Sequence, residues 1–138
     1  MSLIELLIVL FITAILWSLA LPSYRALVLL SGRAEAKREL LTMASDQERY
    51  FSRFATYLDD ATPLESPAQP GRQRSSAGAR YTLSVTACAD GELSHCFVAT
   101  ATPNAAQQAD VCTSLSLDSW GRKAATVKQG DEQGCWLR

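Results

Sequence analysis

Residues 1–24 read MSLIELLIVLFITAILWSLALPSY, and no charged residue stands between Leu6 and Pro22. One carboxylate, Glu5, sits at the N-terminal edge of that run. An ionisable group in hydrocarbon costs about 2.5–3.5 kcal/mol even on a lenient insertion scale. Glu5 therefore needs a cationic partner, and no basic side chain lies within a helical turn or two of it. The nearest cation in the chain is the α-amino group of Met1, and the nearest useful one is that of a neighbouring copy. About 20 apolar residues cross a bilayer core, and residues 3–24 have that length. A secretory signal peptide fits poorly: no basic residues lead into the run, no small-residue cleavage pattern ends it, and it is long. A plain single-pass anchor explains the apolar run but leaves Glu5 unexplained.

Residues 25–138 suffice for one small domain with a modest core. With Glu5 set aside, 13 basic and 13 acidic side chains balance. Neutrality gives no global attraction to nucleic acid. Four cysteines, unevenly spaced and without a CxxC, point to disulfides rather than zinc, and so to an oxidising compartment.

Residues 1–54 read as one helix, about 80 Å long at 1.5 Å per residue. Its first half is apolar all round, as in a membrane span or filament core. Pro22 removes a backbone hydrogen bond and predicts a kink or local opening, and Gly32 is a second weak point. In the second half Ala36, Leu40, Met43, Gln47, Tyr50 or Phe51, and Phe54 recur at helical spacing, which predicts a buried stripe. Residues 55–80, with Pro63, Pro67 and Pro70, read as a long loop. Period-two alternation then predicts strands from Tyr81 to Ala87, from Phe97 to Thr102, around Leu115 and Leu117, and from Lys123 to Val127. The fold class is α+β: a helical spine on an antiparallel sheet of three to four strands with one buried face.

The run Ser2-Leu3-Ile4-Glu5-Leu6-Leu7-Ile8-Val9-Leu10, followed by Ala20-Leu21-Pro22-Ser23-Tyr24, resembles the N-terminal helix of type IV pilins. Met1, Ser2 and Ala14 depart from the phenylalanine, threonine and glycine usual in that family. The order of helix, loop and small sheet resembles the pilin fold over essentially the whole chain. The stretch Cys112-Thr113-Ser114-Leu115-Ser116-Leu117-Asp118-Ser119-Trp120-Gly121, with Gly134-Cys135-Trp136, is similar to a proteobacterial pilin subgroup that includes adhesion, motility and DNA-uptake pilins.

The resemblance implies two parts: residues 1–24 as membrane span and later filament core, and residues 25–138 as the globular pilin domain. That domain would comprise the amphipathic half-helix 25–54, the loop 55–80, and the sheet with its disulfide-closed C-terminal region 81–138. It implies N-methylation of Met1 by a prepilin peptidase, self-assembly into a helical fibre, and a platform driven by cytoplasmic ATPases. The protein would lie in the inner membrane before assembly and in the extracellular filament afterwards. Met1, Glu5 and Pro22 carry assembly in this reading, with Glu5 of an entering subunit neutralising the Met1 amine of one already in place. Four cysteines allow three pairings. Sequence proximity and the resemblance favour Cys88–Cys96 and Cys112–Cys135, worth about 2.5 and about 3.5 kcal/mol in chain entropy.

No catalytic set, metal motif or phosphate-binding glycine loop emerges, and His95, the single histidine, reads as a turn residue. No enzyme activity and no cofactor are expected. Arg72, Arg74, Arg80, Arg122, Lys123 and Lys128 would form a DNA-binding patch if they gathered on one edge near Trp120 or Trp136. The expected function is that of a structural subunit of a type IV pilus serving attachment, twitching motility or DNA uptake. The alternatives are a minor or competence pilin that binds DNA at the filament surface and, more remotely, a secretion-system pseudopilin.

Overall fold

The computed structural model describes residues 2–60, 74–89 and 91–137, with Pro22 and Arg74 described by their backbone alone. Met1, Arg72 and the three prolines of the loop lie outside the described residues. Helix α1 runs from Leu3 to Phe54, 52 residues, and continues through position 22. Its most apolar 18-residue stretch has a mean hydropathy of 2.5 and no buried residue. Leu3, Phe11, Trp17 and Leu19 are all at least 66% exposed. By length and composition this helix can cross a membrane.

The upper half of α1 packs on a five-stranded antiparallel meander of order β1-β2-β3-β4-β5. The strands are β1 Arg74–Ser75, β2 Tyr81–Ala87, β3 Phe97–Pro103, β4 Cys112–Asp118 and β5 Lys123–Val127. A short 3-10 turn, Ala105–Gln107, precedes β4, and helix α2, Gln133–Leu137, closes the chain. Four strands lie where alternation places them. The two-residue β1 falls in the segment read as loop, because two residues carry no period. It pairs Arg74 with Leu83 and Ser75 with Thr82.

Alternation buries Tyr81, Leu83 and Val85 of β2, Phe97, Ala99 and Ala101 of β3, and Leu115 and Leu117 of β4. These face Ala36, Leu40 and Met43 of α1 in one core. Each fully buried Leu, Val, Phe or Met contributes about 1.5–3 kcal/mol. The predicted helical stripe ends early. Phe54 is 59% exposed and lies 4.4 Å, centroid to centroid, from Tyr50. The helix stops at Ala55 in a left-handed conformation, φ 53°, which turns the chain back under it. Tyr57 then takes the place Phe54 was expected to fill, between Phe51 at 4.6 Å and Phe97 at 4.8 Å. Buried Gln47 secures the reversal, its amide donating to the Leu58 carbonyl while its Oε1 accepts the Leu58 N–H.

The register gives the sheet two distinct ends. Tyr81 stands opposite Pro103, and Ala87 opposite Phe97. Cys112 stands opposite Val127, and Leu117 opposite Lys123. One end therefore carries Arg80, Asn104 and Lys128, and the other carries the 88–96 loop and the β4–β5 turn. Disulfides join Cys88 to Cys96 and Cys112 to Cys135. The first closes the β2–β3 hairpin, and the second ties α2 to β4.

Candidate nucleic-acid interface

The register divides the basic residues that the sequence suggested as one patch. Arg80 donates from a terminal guanidinium nitrogen to the Val28 carbonyl of α1 at 3.5 Å, and its own carbonyl accepts the Asn104 N–H. Lys128 donates to the Gln108 carbonyl. Both cations thus hold backbone at the first end of the sheet. Arg74 lies on the β2 edge at the strand pair with Leu83. Arg122 and Lys123 stand at the opposite end, beyond Leu117.

There the chain builds a rigid turn. Asp118 accepts the Gly121 N–H on its carbonyl at 2.9 Å, and Gly121 adopts φ 77°, which disfavours a side chain. The Asp118 carboxylate accepts the backbone N–H of Trp120 at 3.0 Å and of Arg122 at 2.8 Å. Its second oxygen accepts the Nε–H of Arg122. The Arg122 guanidinium also sits 4.5 Å from the ring centre of Trp120, within cation–π range. Trp120 remains 61% exposed.

The next residue repeats the pairing on its own side of the hairpin. Lys123 lies 5.4 Å from the Trp136 ring centre, and Trp136 is fixed by donating its indole N–H to the Ala124 carbonyl at 2.8 Å. Lys37 reaches over from α1 to donate to the Trp136 carbonyl at 3.0 Å. Burial, helped by the charges of Arg33 and Lys123, lowers the Lys37 pKa. Two aromatic faces, each with a cation, thus run along the β4–β5 edge. A groove of about 390 Å³ lined by Lys123, Glu132, Gln133 and Trp136 adjoins them.

A second Asp–Arg pair, not foreseen from the sequence, lies at the junction of helix and sheet. Arg33 Nε donates to Asp110 at 2.7 Å, and a terminal nitrogen donates to the other carboxylate oxygen. Gln107 donates to Asp110 at 2.8 Å and to the Leu29 carbonyl at 2.9 Å. Burial pushes the Asp110 carboxyl up, but bonds from Arg33, the Cys112 N–H and Gln107 together hold it below its usual range. The Arg33 pKa is raised, chiefly by its bond to Asp110. Gly32 makes room for this network, since a Cβ there would meet the Gln107 side chain and lie 3.1 Å from Arg80. Among the described residues no group of histidine, cysteine or acidic side chains could hold a metal ion. Glu5 is on the exposed lower helix.

A family model described as "Type IV minor pilin ComP, DNA uptake sequence receptor" matches residues 22–116. The chain belongs to this minor pilin family. A solved type IV pilin from Shewanella oneidensis is similar over 80% of this chain and 99% of that one, with 27% identity and a TM-score of 0.50. No curated protein sequence matches the chain. The minor pilin is therefore a type IV pilus subunit of the DNA-uptake group, with an extracellular place in the filament and a structural family background. The family match ends at Ser116, before Trp120, Arg122, Lys123 and Trp136.

Proposed function

We propose that this minor pilin receives DNA at the pilus surface on the β4–β5 edge. Trp120 supplies an exposed aromatic face and Trp136 a half-buried one, Lys123 supplies the charge for phosphate, and Arg122 supplies hydrogen-bond donors. The observation that carries the reading is a tryptophan–cation pair twice along one sheet edge, exposed at Trp120 and half-buried at Trp136. The family's description as a DNA uptake sequence receptor supports DNA as the ligand. Phosphate contacts make binding fall as salt rises. The full chain in detergent should bind duplex DNA with an affinity that falls linearly in log–log form as salt rises. Trp120→Ala with Lys123→Ala should weaken binding and reduce the salt slope by about one phosphate. Equal binding by variant and wild type would place the DNA elsewhere.

The fully exposed apolar half of α1 supports a second, assembly role. In this reading residues 1–24 anchor the subunit in the inner membrane and then enter the filament core. Residues 25–138 form the globular domain. A prepilin peptidase and the assembly platform are the partners, and Glu5 pairs with the Met1 amine of a neighbour. The protein's work is structural and binding rather than catalytic. Glu5→Ala should abolish incorporation into sheared filaments while leaving the chain in the membrane fraction; normal incorporation would refute the Glu5 role.

A further inference from the structure

Arg122 is constrained more tightly than a cation needed only for its charge. Its Nε–H is bound by Asp118, its guanidinium lies over Trp120, and Asp118 itself is held by two backbone N–H groups of the same turn. The arginine side chain is nevertheless 71% exposed, against 10% for Asp118. The described contacts of the guanidinium use Nε and the ring face, which leaves the two terminal nitrogens as a parallel pair of donors at the hairpin tip. An unconstrained arginine loses rotamer freedom on binding; here much of it is already lost before any ligand arrives.

We propose that Arg122 reads a guanine edge in the major groove of duplex DNA, with Asp118 as its positioning residue. The inference rests on the DNA-receiving reading above and names what that edge recognises. A parallel pair of N–H donors matches two kinds of acceptor, the O6 and N7 of guanine and a pair of phosphate oxygens. The neighbouring carboxylate decides between them. Asp118 and Arg122 together are electrically neutral, so the pair offers little to a phosphate, and Asp118 repels one. A guanine edge is uncharged and loses nothing to that carboxylate. Access is through the turn itself, since β4 also pairs with β3 and only residues beyond the strand pairs reach outward. The β4–β5 hairpin lies at the edge of the sheet with Trp120 and Arg122 at its turn. Lys123, a point charge one residue on, is suited to the adjoining phosphate.

The test selects duplexes from a pool with a randomised core, using the full chain in detergent, and then measures affinity for single-base variants of the winners. Wild type should require guanine at one position, by about 5- to 140-fold over the other bases. Arg122→Lys should lose that preference, so that selected and unselected duplexes bind it alike. Asp118→Asn keeps the acceptor for the turn but not the charge. It should weaken the preference at the same base while leaving affinity for unselected duplex unchanged or higher, which a purely structural role would not do. If Arg122→Lys weakens all sequences alike and lowers the salt slope by about one phosphate, Arg122 is a phosphate contact and the proposal is wrong. A wild-type pool without a required guanine overturns the proposal and leaves DNA reception standing. No binding to any duplex removes both.

Discussion

Arg33 and Asp110 meet where the helix joins the sheet, and their side chains are 11% and 0% exposed. Arg122 and Asp118 meet at a hairpin tip, where the arginine is 71% exposed. The bond chemistry is the same, but the surroundings assign different tasks. At the junction every partner of Asp110 comes from the fold itself: Arg33, Gln107 and the Cys112 N–H. That pair fixes where the sheet sits along α1. At the tip the carboxylate orients an arginine whose outer donors face solvent. Burial thus separates a charge pair that sets architecture from one that presents a donor edge.

The largest effect expected from this contrast is on stability. Removing one partner of a buried ion pair costs about 3–5 kcal/mol, because the other is left uncompensated. Arg33→Ala should show a loss of that size in chemical denaturation of the full chain in detergent, followed by near-UV circular dichroism. Arg122→Ala should lose less than about 1 kcal/mol, since exposed pairs contribute little. Similar losses for the two variants would break the comparison.

A smaller effect should appear on acidification. The folded-state pKa of Asp110 is below its ordinary value of 3.8. Its contribution is therefore fully present above that value and is lost as pH falls below 3.8 towards the folded-state pKa. Asp60 has the opposite sign. Burial, assisted by Asp59, raises its pKa against the Val85 N–H bond that lowers it. The folded chain then takes up that proton first, so stability rises as pH falls through the raised value of Asp60. A denaturation series should show a loss of stability as pH falls below 3.8, shared with Glu35, whose pKa is also lowered. Asp110→Asn should reduce that loss; if it does not, the buried pair is not what acid breaks.

Much of the architecture was legible because it depends on local pattern. The alternation of Tyr81, Leu83 and Val85 marks β2 and its buried face at once, and the apolar run to Leu21 marks a helix that needs an environment the fold does not supply. The end of α1 falls at Phe54 as its pattern predicts, but Phe54 is exposed rather than buried, because spacing cannot show that Ala55 reverses the chain and puts Tyr57 in the core. The Arg33–Asp110 pair was hidden because its members are 77 residues apart and neither sits in a motif. Strand register, which sequence leaves open, sends Arg80 and Lys128 to one end of the sheet and Arg122 and Lys123 to the other. The Trp120 turn did leave a trace: Asp118 and Gly121 occupy the first and fourth positions of a turn that favours those residues. That spacing places Arg122 beside Asp118.

The chain's three tryptophans are natural reporters for its central claim. Trp120 and Trp136 lie on the proposed DNA edge, and Trp17 lies on the apolar helix. The most direct measurement follows the three indole N–H resonances of the full chain in detergent micelles as duplex DNA is added at low salt. The account predicts that the Trp120 and Trp136 signals move together along one binding curve while Trp17 stays in place. Saturable DNA binding with the Trp120 and Trp136 signals unmoved would contradict it.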